Sequence, residues 1–276
     1  AFGAEQTIAV GEEPFDAKLA DLNGDGFADI VTALLFRGTA GVQLNNGDGT
    51  FGALRQFGAG AGPIAIALDD LDGDGDTDIV VANQGTGSPS TISILLNNGD
   101  ATFAPDQEYG VGVSPEAVSL GDLDGDGDLD VAVANDADNI VSVLLNNGDG
   151  TLAPQQTYAV DERARDVAIA DLDGDGDEDI AVAGASTLSI LLNNGDGTFA
   201  PRRSLDAPGL DIALADVDGD NDPDIITGRS GYTVLRNNGD ATFAPADTYG
   251  SGSAEDLQLA DLDGNGLPDI AGVSGS

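Results

Sequence analysis

Six short segments of this sequence alternate aspartate with small, turn-forming residues. They read DLNGDGFAD from Asp21, DLDGDGDTD from Asp70, DLDGDGDLD from Asp122, DLDGDGDED from Asp171, DVDGDNDPD from Asp216 and DLDGNGLPD from Asp261. Counting each first aspartate as position 1, the side chains at positions 1, 3, 5 and 9 carry oxygen donors. They are Asp21, Asn23, Asp25 and Asp29 in loop one, and Asp70, Asp72, Asp74 and Asp78 in loop two. Loop three has Asp122, Asp124, Asp126 and Asp130, and loop four has Asp171, Asp173, Asp175 and Asp179. Loop five has Asp216, Asp218, Asp220 and Asp224, and loop six has Asp261, Asp263, Asn265 and Asp269. At position 7 a main-chain carbonyl can turn inward, from Phe27, Asp76, Asp128, Asp177, Asp222 or Leu267. The glycines between let the backbone wrap tightly, with positive φ where the turn needs it. Such a loop offers about six or seven oxygens, the donor set of a hard cation of the Ca²⁺ kind. Mg²⁺ fits less well, because it keeps several waters in a compact octahedron. Soft metals find no ligand here. The bland alternative is a set of ordinary Asp-Gly turns. It is disfavoured because clustered carboxylates repel one another unless a cation lies among them.

The first half of each loop matches the EF-hand pattern, with Asp or Asn at positions 1, 3 and 5. The second half departs from it. Position 12 is Thr32, Val81, Val133, Val182, Thr227 or Gly272 and never Glu. The closing carboxylate comes at position 9 instead. Loops one and six lose one charge each to Asn23 and Asn265 and are expected to bind more weakly than loops two to four.

Composition removes other chemistries. The 276 residues contain no His and no Cys, so imidazole and thiolate metal sites, a Ser-His-Asp relay, cysteine nucleophiles and disulfides are all excluded. With 50 Asp plus Glu against 9 Lys plus Arg, the net charge is −41, opposite to the footprint of a nucleic-acid binder. An anionic membrane surface repels such a chain, and no apolar run is long enough to span a bilayer. The hydrophobic fraction of 41% is that of a folded protein. Six Ca²⁺ ions would offset under a third of the net charge. The remainder reads as a solvated acidic surface that aids solubility.

The loops recur every 45 to 52 residues, and NNGDGTF-type segments recur between them from Asn45, Asn97, Asn146, Asn193 and Asn237. Each of those carries a single aspartate, Asp48, Asp100, Asp149, Asp196 or Asp240, and reads as a structural hairpin turn rather than a metal site. One unit resolves into Ile64–Leu68, Asp78–Asn83, Thr91–Leu96 and Phe103–Gly110, all short, rich in β-branched residues and bounded by Gly, Asn or Asp. Pro105, Pro154, Pro201 and Pro245 start the fourth strands, the edge position where a missing N–H costs least. The expected fold is therefore all-β: a propeller of six four-stranded antiparallel blades forming one domain over 1–276. The blades start near residues 16, 64, 117, 166, 211 and 256, and residues 1–10 complete the last one. That last blade has no sequence for its third strand, and both ends fall inside the repeat unit. The expectation is a chain cut from a longer array.

The repeats resemble the FG-GAP or VCBS-type calcium-binding repeats of integrin α-subunit propellers and of large bacterial and archaeal surface proteins. The resemblance covers nearly the whole chain. It implies a propeller with calcium in the turn between the first two strands of each blade, so about six sites. It also implies an extracellular role in adhesion or ligand binding. Many related propellers have seven blades, whereas this chain offers six.

The calcium loops and NNGDG turns are expected on one face, and the variable turns and connectors on the other. Variable loops on a rigid scaffold usually carry the ligand site. Arg37, Arg163, Arg165, Arg229 and Tyr232 are the candidate contacts, each of which is also an ordinary loop residue. The expected function is a non-enzymatic, calcium-binding module for a protein or glycan ligand. The alternatives are a lectin-like propeller, against which the absence of Trp argues, and a structural or filament repeat. Catalysis by a carboxylate pair is disfavoured, since nearly every such pair already belongs to a loop.

Overall fold

A computed structural model describes residues 7–85, 89–253 and 256–273. Among the described residues there is no helix, hence none long and apolar enough to cross a membrane. The chain divides into two compact units, Ala1–Gly110 and Val111–Ser276.

The first unit holds two four-stranded antiparallel sheets, each in sequence order. Sheet one is β1 (Pro14–Ala20), β2 (Asp29–Leu34), β3 (Thr39–Gln43) and β4 (Arg55–Gly58). Sheet two is β5 (Pro63–Asp69), β6 (Asp78–Asn83), β7 (Thr91–Leu95) and β8 (Gln107–Gly110). The second unit holds three more. Sheet three is β9 (Pro115–Gly121), β10 (Asp130–Asn135), β11 (Ile140–Leu144) and β12 (Gln156–Ala159). Sheet four is β13 (Asp166–Ala170), β14 (Asp179–Ala183), β15 (Leu188–Leu191) and β16 (Arg203–Leu205). Sheet five is β17 (Asp211–Ala215), β18 (Asp224–Gly228), β19 (Ser230–Leu235) and β20 (Asp247–Ser253). Sheet six has only β21 (Asp256–Ala260) and β22 (Asp269–Val273).

Among the described residues sheet six has two strands, and the sequence offers none for a third. The completing strand expected from residues 1–10 lies mostly outside the described residues, and Thr7–Val10 forms no strand. The fourth strands also start late. Phe103 makes only an isolated bridge to Asn97, and the β7–β8 ladder begins at Gln107, past Pro105, which has no N–H to donate.

The second strands explain the core. Every residue of β6, β10, β14 and β18 is buried, so their apolar runs need not alternate. Sheets pack face to face within each unit. In the first, Val31, Ala33, Ala40 and Val42 of sheet one meet Ile66, Ile79, Val81 and Leu95 of sheet two. In the second, Val141, Val143 and Ala132 meet Val167, Ile180 and Val182, and Ala181 and Ile190 meet Ile212 and Ile225. The fourth strands lie at the exposed edge, as β4 and β12 show.

Candidate metal centres

Each acidic loop is a hairpin turn between the first and second strand of its sheet, and its geometry is set by its own backbone. The position-1 carboxylate folds back over the turn. Asp122 accepts the N–H of Gly125 at 2.8 Å on one oxygen and that of Gly127 at 3.0 Å on the other. Asp171 repeats this with Gly174 and Gly176, and Asp70 with Gly73 and Gly75. Position 5 accepts the N–H of position 7, as from Asp128 to Asp126 at 3.0 Å. In loop five, Asn221 takes the place of the second glycine at φ 74°, a conformation Asn tolerates better than most side chains.

The structure brings together positions 1, 3 and 9. In Asp70–Asp72–Asp78, Asp122–Asp124–Asp130, Asp171–Asp173–Asp179, Asp216–Asp218–Asp224 and Asp261–Asp263–Asp269, one carboxylate oxygen per residue lies within 4.8 Å of the others. That separation suits an ion bound at about 2.3–2.6 Å, and every donor is a hard oxygen, so the residues fit Ca²⁺. The position-5 carboxylates Asp74, Asp126, Asp175 and Asp220 are outside these triads, and each accepts the position-7 N–H of its own loop. Among the described residues, loop one has no such triad. Its Asn23 donates Nδ2–H to Asp25 at 3.0 Å, an amide hydrogen where the other loops have a carboxylate.

Position 7 was read from sequence as a carbonyl ligand. Its side chain has separate work. Asp177 lies over Gly195 so closely that a Cβ there would sit 2.5 Å from Oδ2, and Gly195 has φ +77°. Asp76, Asp128 and Asp222 cover Gly99, Gly148 and Gly239 in the same way, and Phe27 covers Gly47. The acidic loop and the NNGDG turn of one sheet are thus packed together, and only glycine leaves room.

The position-9 aspartate does most to hold this arrangement, and sequence reading assigned it only as a ligand. Asp130 is fully buried at the start of β10. It accepts Leu123 N–H at 2.9 Å on Oδ2 and Asn146 N–H at 2.7 Å on Oδ1. Asp29, Asp78, Asp179 and Asp224 make the same two bonds, with Asn45, Asn97, Asn193 and Asn237 as the second partners. Asn97 then extends the chain of bonds to the preceding sheet, donating Nδ2–H to Leu22 O at 2.8 Å. Asn193 does so to Leu123 O at 2.8 Å and Asn237 to Leu172 O at 2.7 Å. The first Asn of every NNGD segment was the available signal, since a turn alone has no need of an invariant amide before its Asn-Gly.

Burial sets the protonation. Desolvation lifts Asp78 and Asp179 to about 6 and Asp130 to about 7, against a usual 3.8, and outweighs their two backbone hydrogen bonds. Desolvation and then the neighbouring aspartates also raise Asp72, Asp124 and Asp173. Backbone N–H groups instead lower Asp21, Asp216 and Asp261. A proton held by the folded state and already lost by the unfolded chain stabilises the fold. For Asp130 that contribution is complete below about pH 3.8 and is lost as pH rises through about 7. Metal-free protein should therefore be more stable near pH 5 than near pH 8. The order reverses for cation binding, because the proton must leave first. Calcium affinity at loop three is expected to fall about tenfold between pH 8 and pH 6. Titration with Ca²⁺ at the two pH values checks this; equal affinity would mean Asp130 is ionised without metal.

The candidate ligand contacts are mostly engaged within the chain. Arg37 pairs with Glu12 at 2.7 Å, Arg163 with Asp136 at 3.0 Å, and Arg165 with Asp136 at 3.6 Å and Glu116 at 3.8 Å. Arg229 donates to Ala185 O, and Tyr232 lies in β19 opposite Tyr249. Arg37, Arg163 and Arg165 tie the second-to-third turns of sheets one and three to connectors, and Arg229 ties that of sheet five to that of sheet four.

These sheets and loops define a repeat protein with an acidic turn at each unit. The FG-GAP-like repeat profile matches residues 21–81, 70–133, 122–182, 171–227 and 216–272, and the chain belongs to this family as an FG-GAP repeat propeller. No curated protein is recognisably similar to it. Among solved structures it is similar to an Agrocybe aegerita lectin described by its specific recognition of non-reducing terminal N-acetylglucosamine. The identity is 29%, the TM-score 0.62, and the match covers 86% of this chain and 66% of the lectin, just under two thirds. It is also similar to BBS1N in its complex with ARL6DN, at 15% identity and TM-score 0.66 over 95% and 76% of the two chains. A functionally unknown protein from Desulfotomaculum acetoxidans DSM 771 matches at 14% identity and TM-score 0.64 over 88% and 72%. At those identities the last two speak for the fold alone.

Proposed function

We propose that the chain is a calcium-stabilised, non-enzymatic ligand-binding propeller that works outside the cell, in adhesion or recognition. The observation that carries the calcium part is the convergence of position-1, -3 and -9 carboxylates in five successive loops. An ion there would join the acidic turn, the first residue of the second strand and, through the position-9 aspartate, the NNGDG turn. Millimolar Ca²⁺ is found outside cells, which fits loops that set two carboxylates partly open to solvent beside the position-9 aspartate, at modest affinity. The loop carboxylates are committed to turns and triads, and outside them Asp166, paired with Asp211, already accepts the N–H groups of Val167 and Ile212. Net charge −41 argues against nucleic-acid and membrane partners.

Family membership and the lectin at 29% identity support a ligand-binding role, and the lectin favours a saccharide as the second reading. The leading reading takes a protein ligand on the variable turns and connectors. A glycan array probed with calcium-loaded and EDTA-treated protein separates the two. Saturable, calcium-dependent retention of one glycan class favours the lectin reading. Silence on the array, with calcium-dependent capture of an extracellular protein, favours adhesion. Turnover of a polysaccharide would sink the non-enzymatic reading.

A further inference from the structure

The segment before each NNGD turn ends in leucine four times, at Leu44, Leu96, Leu145 and Leu192, and in Arg236 the fifth time. The leucine position lies beside the acidic loop. In sheet three, a Cβ on Gly197 would meet Leu145 at 3.0 Å and Asp124 at 3.4 Å, so the leucine and the position-3 ligand share one wall. In sheet five the guanidinium occupies that place. Arg236 Nε is 3.6 Å from Asp218 Oδ2, and Asp218 belongs to the Asp216–Asp218–Asp224 triad. The other end of the guanidinium pairs with Asp247 on β20, which holds it over the loop. Among the described residues no other ion pair reaches a position-1, -3, -5 or -9 carboxylate, although the chain has nine cationic residues.

We infer that Arg236 is the resident counter-cation of loop five and sets its calcium affinity below that of loops two to four. The inference rests on the calcium reading of the loops. By ligand count alone, loop five, with four aspartates, equals loops two to four. Arg236 cancels part of that charge and stands close to where the ion would bind. A univalent cation about 6 Å from a divalent one, in water-like surroundings, weakens binding about tenfold. Without metal the effect has the opposite sign: loop five alone keeps a positive charge against its carboxylates. The fifth loop is then ordered at calcium levels that leave the others empty.

The test uses the full chain and Ca²⁺ competing with a chromophoric chelator. Wild type, Arg236→Leu, Arg236→Gln, Asp72→Asn and the double variant Arg236→Leu with Asp218→Asn are compared. Leucine is the residue of the other four repeats, so Arg236→Leu should fold, and Arg236→Gln guards against the case in which it does not. The expected result is one ion moving about tenfold tighter in both single Arg236 variants and lost again in the double variant. Thermal unfolding in EDTA should show Arg236→Leu melting below wild type, with the order reversed in saturating Ca²⁺. If Asp72→Asn loses one tight ion while both Arg236 variants match the wild-type isotherm, the calcium reading stands and Arg236 is only a tether to Asp247. If no form binds Ca²⁺, both readings fall together.

Discussion

Chelation with EDTA is expected to lower the midpoint of thermal unfolding by tens of degrees, with millimolar Ca²⁺ restoring it and molar NaCl restoring little. In the metal-free protein, each triad holds three carboxylates whose oxygens lie within 4.8 Å of one another. Burial raises the pKa of the position-9 members, Asp78, Asp130 and Asp179, and the neighbouring aspartates add to the rise. An ion at 100 times its dissociation constant stabilises the fold by about 2.7 kcal/mol per site. For a chain of this size, about 1 kcal/mol moves the midpoint by about 2–4 °C. Several such sites together give the expected shift. NaCl acts differently. It screens the exposed acidic surface, with a Debye length of about 3 Å at 1 M, but has no place inside a triad. Calorimetric scans in EDTA, in EDTA with excess Ca²⁺, and in EDTA with NaCl separate the two. Equal rescue by NaCl would make the acidity a salt adaptation and the loops plain turns.

The parts of this fold that were legible in the sequence depend on local rules. Asp78–Asn83 was read as a strand and is β6, bound for bound, because four apolar residues, Ile79 to Ala82, between the last aspartate of an acidic turn and Asn83 leave little else. The edge character of the fourth strands followed from Pro105, Pro154, Pro201 and Pro245. Their late start did not, since the sequence does not say how far past a proline a ladder resumes. The loop ligands were legible as a set, but not their division of labour. Asp74 and Asp126 are spaced like ligands, yet the carboxylate of each turns back to its own loop's N–H at position 7.

What stayed hidden is long-range. Asn97 donates to Leu22, 75 residues earlier, and no local pattern announces that bond. The sequence marks Arg236 only as a departure from Leu44, Leu96, Leu145 and Leu192. Its meaning comes from Asp218 in the loop and Asp247 on the next strand, which only the folded sheet places beside it. The same holds for the loop arginines. Arg37 and Arg163 look free in the sequence, and find Glu12 and Asp136 only once connector and turn meet.

Asp130→Ala is expected to destabilise the metal-free protein by about 3–5 kcal/mol, whereas Asp126→Asn in the same loop should cost under about 1 kcal/mol. The two residues are equal by ligand counting, so the comparison separates ligand from latch. Asp130 is fully buried and is the acceptor for two main-chain N–H groups, those of Leu123 and Asn146. Alanine leaves both donors buried without an acceptor, at about 1–3 kcal/mol each, besides a void the size of a carboxyl group. It also disconnects the acidic turn from the NNGDG turn. Asn146 then loses the bond that fixes its backbone, while its side chain still reaches Leu129 O at 3.0 Å. Asp126 is exposed, and an amide oxygen at that position can still accept the Asp128 N–H. Urea unfolding in EDTA at pH 5, where burial keeps Asp130 protonated in the fold, isolates the structural term, because neither bound metal nor a buried charge then enters. Repeating it in Ca²⁺ at pH 8 should make Asp126→Asn costly as well, if position 5 completes the coordination shell. Equal, small losses for both variants in EDTA would show that the hydrogen bonds of Asp130 contribute little and that position 9 acts only as a ligand. A large loss confined to Asp130→Ala makes the position-9 aspartate the residue through which the acidic turn, the NNGDG turn and the second strand are coupled.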